Sequence, residues 1–110
     1  MRKTLTDVGG ERTPQPRTKT PEQALASLMR QCARAERCSG DALRLMRTWG
    51  VPEVEQRGVL DRLIAERYID NRRYAEAYTR EKMNLAGWGE RKIAMQLRLK
   101  GVERETISAV

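Results

Sequence analysis

Apolar positions along the chain recur at helical spacing from Thr20 onward. Leu25, Leu28, Met29 and Cys32 fall three and four apart and give one apolar face. The spacing predicts a first helix from Pro21 to about Glu36. Thr20 supplies an N-cap, Pro21 the first helical position, and Gln23 the return arm of a capping box. Ser39 is the expected cap of a second helix, whose inward set is Ala42, Leu43, Met46 and Trp49. Pro52 and Glu53 open a third helix carrying Val59, Leu60, Leu63 and Ile64, weakened at Gly58 by ~1 kcal/mol relative to alanine.

The same order of elements then repeats. Asp70 is the expected N-cap of a fourth helix with Tyr74, Ala77, Tyr78 and Leu85 on one stripe. Gly87-Trp88-Gly89 breaks the chain before a fifth helix with Ile93, Ala94 and Leu97 inward. Glu103 begins a sixth, with Ile107 and Val110. No stretch shows the period-two alternation of a half-buried strand. The expected fold class is all-α.

Two short phrases mark the repeat. Leu43–Val51 reads LRLMRTWGV and Ala94–Val102 reads AMQLRLKGV. In each, an amphipathic helix stops at a glycine followed by valine, the arrangement of a Schellman closure. Val51 should then touch Met46, and Val102 should touch Leu97. Leu25, Leu28 and Met29 precede Tyr74, Ala77 and Tyr78 by 49 positions, whereas Gly50 precedes Gly101 by 51. A longer loop in the second unit accounts for that difference. The expected organisation is a disordered basic tail over 1–19 and two three-helix units, 20–69 and 70–110. The sixth helix has at most eight residues, while its counterpart runs from about Glu53 to Arg67. The second unit is therefore expected to be incomplete, with its end fraying or docking on another copy.

Composition narrows the function classes. The 110 residues carry a formal charge of +7 and a pI near 10.0, which favours polyanions or acidic protein surfaces as partners. There is no histidine, no glycine-rich phosphate loop and no cluster of metal ligands, so the chain reads as a non-enzyme without metal or cofactor. Cys32 and Cys38 fit reduced structural thiols. No window approaches the ~18 apolar residues of a membrane span, and the cytoplasm is the expected location. Nothing in the pattern specifies an oligomeric state.

The candidate binding residues are basic. Arg80, Lys82, Arg91, Lys92, Arg98 and Lys100 lie on two successive helices against Glu81 and Glu90, and Arg44 and Arg47 occupy the matching helix of the first unit. Lysine and arginine there can contact phosphates, and arginine can engage carboxylates bidentately. Tyr74 and Tyr78 have the spacing of a core stripe, though a pair of aromatics can also stack bases. Trp49 and Trp88 fit packing roles at helix ends.

From Leu60 onward the residues carry a family likeness. LDRLIAERYIDNRRYAEAYTREK, followed by WGERKIAMQLRLKGV from Trp88 to Val102, closely resembles the RecX family of bacterial recombinase regulators. The specific elements are Leu63 with Tyr68-Ile69-Asp70, Arg73-Tyr74-Ala75, Tyr78, Gly89, Arg91-Lys92-Ile93, Leu97 and Lys100-Gly101-Val102. A weaker match runs from Ala24-Leu25 to Gly50-Val51. The Trp49-Gly50 and Trp88-Gly89 pairs are similar to a Bacteroidetes-type branch. The resemblance implies tandem three-helix repeats, usually three. It also implies a regulator that binds the RecA recombinase, lies in the groove of the RecA–DNA filament, and restrains strand exchange and coprotease activity. No catalytic residue or cofactor is implied. The third repeat and part of the second have no counterpart here. An autonomous, sequence-nonspecific module binding single- or double-stranded DNA is the alternative.

Overall fold

The computed structural model describes residues 18–110, which fold into six α-helices without a strand. They are α1 (Pro21–Arg34), α2 (Ser39–Thr48), α3 (Glu53–Ala65), α4 (Asn71–Asn84), α5 (Glu90–Leu99) and α6 (Arg104–Ala109). The repeat is visible in the lengths, since α1 and α4 each have 14 residues and α2 and α5 each have 10. The caps Thr20 and Asp70 stand 50 apart, so the register is 50 where the tyrosine spacing suggested 49. One extra loop residue before α5 brings it to 51 at the glycines. A radius of gyration of 17.6 Å exceeds the ~13 Å of a compact 100-residue domain, as expected for units joined end to end.

Local signals set most boundaries. Thr20 and Gln23 exchange the reciprocal bonds of a capping box, at 3.1 and 3.0 Å. Asp70 caps α4 by accepting the Arg73 N–H at 3.0 Å. Ser39 does not cap α2. It is the first helical residue, and the Asp41 carboxylate reaches back to the Cys38 N–H instead. α1 stops at Arg34, two residues before the expected end, because Ala35 is extended.

The two glycine closures form as the sequence implies. Gly50 and Gly101 have φ of 72° and 90°. The Val51 and Val102 N–H groups donate 3.0 Å bonds to the Met46 and Leu97 carbonyls. α3 ends in the same closure without glycine: Arg67 takes φ 66°, and the Tyr68 N–H donates to the Leu63 carbonyl at 2.9 Å.

Each unit has its own core. Ala24, Leu28, Ala42, Met46, Trp49, Val51, Val59, Leu60, Leu63 and Ile69 pack among α1, α2 and α3. Tyr74, Ala75, Ile93, Leu97 and Val102 form the second core, with Tyr78, Trp88 and Ile107 against it. Three expected core positions lie outside. Ile64 faces solvent on α3, Val110 follows the last helix, and Leu85 is 83% exposed because α4 ends at Asn84. α6 packs on α4 and α5 through Ile107.

The second core also takes a residue from the first unit. Cys38, fully buried, sits among Tyr74, Ala75 and Leu97, and its thiol donates to the Lys100 carbonyl at 3.3 Å. Beside it the Ser39 N–H donates to Asn71 Oδ1 at 2.9 Å. Gly40 lies so close that an added Cβ would fall 2.0 Å from the Lys100 oxygen. Arg73 completes the joint. Its Nε donates to Glu36 at 2.7 Å, and its Nη2 to the Arg67 and Tyr68 carbonyls at 3.1 and 3.3 Å. A guanidinium fork is suited to that task, since it reaches a carboxylate and two orphan carbonyls at once.

The expected disorder of the tail falls on residues 1–17, which lie outside the described residues. Of Thr18 and Lys19, placed in that tail by sequence, Thr18 is exposed but Lys19 is packed. The Lys19 N–H donates to the Trp49 carbonyl at 3.0 Å, and its ammonium lies 4.9 Å from the Trp49 ring.

Candidate functional site

The eight basic residues singled out by sequence fall into four settings. Arg44 and Lys100 share Asp41 across the joint, at 2.8 and 3.8 Å, so each is partly neutralised. Lys100 is also half-buried and anchored through its backbone by Cys38. Neither is a freely mobile surface cation.

Lys82 and Lys92 gather on aromatic rings. The Lys92 ammonium lies 4.3 Å from the Trp88 ring centre, and Lys82 lies 5.0 Å from Trp88 and 5.3 Å from Tyr78. Tyr78 stacks on Tyr74 at 5.7 Å and meets Trp88 edge-on at 6.3 Å. α4 supplies the tyrosines one turn apart, and the Gly87 turn, with φ 70°, brings Trp88 back over them. The ring faces hold the ammonium groups by cation–π attraction, worth ~0.5–1 kcal/mol each at such exposed sites. Neither lysine forms an ion pair among the described residues. Two like charges over one indole make this a place where a phosphate is electrostatically welcome.

Arg91 and Arg98 stand on α5, pointing away from the core, and line a shallow hollow of about 530 Å³ with Ala94, Met95 and Leu99. Arg47 on α2 and Arg80 on α4 are solvent-exposed. The expected single stripe is thus distributed. Lys82 and Lys100 line one hollow with Tyr74 and Tyr78, Lys92 is joined to Lys82 through Trp88, and the α5 arginines mark another face.

The titratable groups of the joint are tuned by burial and pairing. Burial pushes the Cys38 and Cys32 thiols up, which keeps both neutral and poorly nucleophilic. Burial likewise raises Tyr74 and Tyr78, so both phenols stay protonated. The hydrogen bond to Glu36 raises Arg73 further. Among the described residues no group of three or more His, Cys, Asp or Glu could hold a metal ion, and no helix is long and apolar enough to cross a membrane.

Two features escaped sequence reasoning. The joint role of Cys38 links residues 62 apart and leaves no local pattern. The outward pair Met95 and Leu99 has a visible i, i+4 spacing, but the stronger inward stripe of Ile93, Ala94 and Leu97 masks it.

Residues 70–110 match the family model described as RecX, second three-helix domain. The chain is also 35% identical over 100 residues to the regulatory protein RecX of Mycolicibacterium smegmatis, covering 91% of this chain and 53% of that protein. The chain belongs to the RecX family. The RecX of Mycolicibacterium vanbaalenii is 34% identical over 90 residues, covering 82% of this chain and 49% of that one. The chain spans about half the length of these curated relatives. The crystal structure of RecX from Lactobacillus salivarius superposes with a TM-score of 0.74 at 20% identity, covering 81% of this chain and 58% of that one, and so shares its fold. Both RecX relatives are mycobacterial, and the Bacteroidetes-type likeness of the Trp-Gly pairs draws no support from them.

Proposed function

We propose that this RecX-family chain binds the RecA recombinase in its filament on DNA and restrains strand exchange and coprotease activity, acting in the cytoplasm by binding and not by catalysis. The observation that carries the reading is the cationic character of the second unit. Lys82, Arg91, Lys92 and Arg98 form no ion pair among the described residues, and they sit on helices joined to the first unit by the Cys38–Lys100 and Glu36–Arg73 bonds. A chain of net charge +7 is suited to a polyanionic filament, where electrostatic steering speeds encounter. Arg44, Arg47, Arg80 and Lys100 extend the cationic surface across both units.

The test is RecA-driven strand exchange with the chain added at rising concentration. The reading expects a dose-dependent slowing that fades when Lys82, Arg91, Lys92 and Arg98 are all changed to glutamine. An unaffected exchange rate at saturating chain would reject it.

The second reading, direct nucleic-acid binding without RecA, is favoured by the Lys82–Trp88–Lys92 cluster. A strand could draw both ammonium groups onto phosphates and leave the indole faces for bases, a combination common at single-stranded sites. Quenching of Trp88 fluorescence by an oligonucleotide alone, with Trp49 changed to Phe, distinguishes this reading. Its affinity should fall with salt by a slope of ~0.7 per phosphate contact on single strands.

A further inference from the structure

α5 has two contrasting sides. Ile93 and Leu97 are buried in the second core, while Met95 and Leu99, one turn apart on the opposite side, are 60% and 74% exposed. Helical geometry places Arg91 and Arg98 on one flank of this pair and Lys92 on the other. Arg91, Ala94, Met95, Arg98 and Leu99 line a single hollow of about 530 Å³. Neither arginine has a carboxylate partner among the described residues.

The first unit supplies an internal control. α2 has the length of α5 and the same glycine closure, and at the register of 51 its Arg44 and Thr48 stand where α5 has Met95 and Leu99. Arg44 is tied to Asp41 at 2.8 Å, and the Thr48 hydroxyl donates to the Arg44 carbonyl at 3.1 Å. That position in the first unit satisfies itself. In the second it presents two bare apolar side chains that add nothing to the core.

The chemistry of the occupant follows from this contrast. A thioether and an isobutyl group gain nothing from a phosphate backbone, whereas methionine and arginine are enriched at protein interfaces, and buried apolar anchors ringed by polar contacts dominate their energetics. A second copy of the chain would bring another +7 against a cationic rim, so charge opposes self-association. The complementary surface is apolar at its centre and acidic at its edge.

We propose that the outward face of α5 is a protein-docking strip, seating Met95 and Leu99 in an apolar depression of the partner while Arg91 and Arg98 pair with carboxylates around it. The inference rests on the function proposed above and deepens it. The strip contacts the recombinase subunit of the filament, and the nucleic acid is left to the Lys82–Trp88–Lys92 cluster.

The test uses the full chain carrying a fluorescent label, titrated with RecA assembled on oligothymidine in a slowly hydrolysed ATP analogue, and with the bare oligothymidine. Met95→Gln with Leu99→Gln is the deciding variant, because glutamine matches their helix propensity and both positions are solvent-facing. Filament affinity should fall on the order of fiftyfold with an unchanged salt slope, as removal of two anchor residues predicts. Bare-oligonucleotide affinity should stay as in the unsubstituted chain. Arg91→Gln with Arg98→Gln should instead flatten the salt dependence for the filament. Sedimentation follows each sample, together with its thermal midpoint. Wild-type filament affinity in a folded double-glutamine variant would overturn the strip and leave the proposed function standing. Absence of filament binding by the unsubstituted chain would overturn both. A dimer that the double-glutamine change dissolves would assign the strip to a second copy and overturn the stated partner.

Discussion

Gly40→Ala probes the joint between the units directly. Gly40 is the second residue of α2, and an alanine Cβ there would lie 2.0 Å from the Lys100 oxygen and 2.8 Å from its carbon. Those atoms are backbone and cannot swing aside as a side-chain tip would. The N-terminus of α2 must retreat from the end of α5 by roughly 1 Å or more to restore ordinary contact, a rearrangement of the overpacking kind that costs about 1–3 kcal/mol. The same movement breaks the Cys38 thiol bond to the Lys100 carbonyl and strains the Ser39–Asn71 bond, for about 1 kcal/mol more. Alanine returns at most ~1 kcal/mol of helix propensity. The net expectation is a loss of about 2 kcal/mol, or a fall of about 10 °C in Tm for a domain of this size. Gly58→Ala is the matched control. It lies within α3 with nothing inside 4 Å of the added carbon, so the propensity gain stands alone and stability should rise by up to ~1 kcal/mol. Urea unfolding followed by circular dichroism measures both, and hydrogen exchange of α5 reports where the loss falls. A Gly40→Ala protein as stable as wild type would refute the close approach of the units and the shared second core.

Arg73→Lys should cost about 1–2 kcal/mol, since one ammonium cannot serve Glu36 and the Arg67 and Tyr68 carbonyls together; urea unfolding indistinguishable from wild type would reject the clamp. Arg67→Gly should stabilise by up to ~1 kcal/mol, because φ 66° is strained for arginine and free for glycine, and a lower Tm would contradict that account. Burial raises the Cys38 thiol above its ordinary 9.0 and moves Tyr74 the same way. The folded state then holds protons that the unfolded chain releases, so this stability is complete below pH 9.0 and declines as pH rises past it. Cys38→Ala should remove the first part of the decline relative to its own neutral value, and an equally steep alkaline loss in that variant would show that the thiol is not responsible.

What the sequence made legible was local or periodic. The Thr20 box, the Asp70 cap and the Gly50 and Gly101 closures are written in neighbouring residues, and their hydrogen bonds form as those residues require. Where two local signals compete, residue type alone does not rank them. Ser39 is a good cap by type, but Asp41 at the third helical position reaches the Cys38 N–H and moves the start by one residue. Leu85 fits the α4 stripe by spacing, yet the helix ends before it and the side chain is left in water. The closure at Arg67 was invisible because no glycine marks it. The joint was equally hidden: Arg73, Cys38 and Gly40 have no periodicity in common, and only three-dimensional proximity to Glu36 and Lys100 gives them a role. For the candidate surface, composition identified the basic residues but not their surroundings. The Arg44–Asp41 pair is local to α2, but the Lys100–Asp41 pair depends on α5 meeting the first unit, and the seating of Lys82 and Lys92 on Trp88 depends on how the loop after α4 folds back between α4 and α5.

The central claim is that this chain engages a recombinase filament through protein and charge together, and does not merely bind nucleic acid. Fluorescence anisotropy of the labelled chain decides it, with RecA–oligothymidine filament and bare oligothymidine compared at the same salt. The account predicts binding to the filament at least tenfold tighter than to the bare strand, the difference persisting at ~0.2 M salt, where phosphate contacts alone are much weakened. Equal affinity for the two, falling with the same salt slope, would contradict it and leave a nonspecific DNA-binding module.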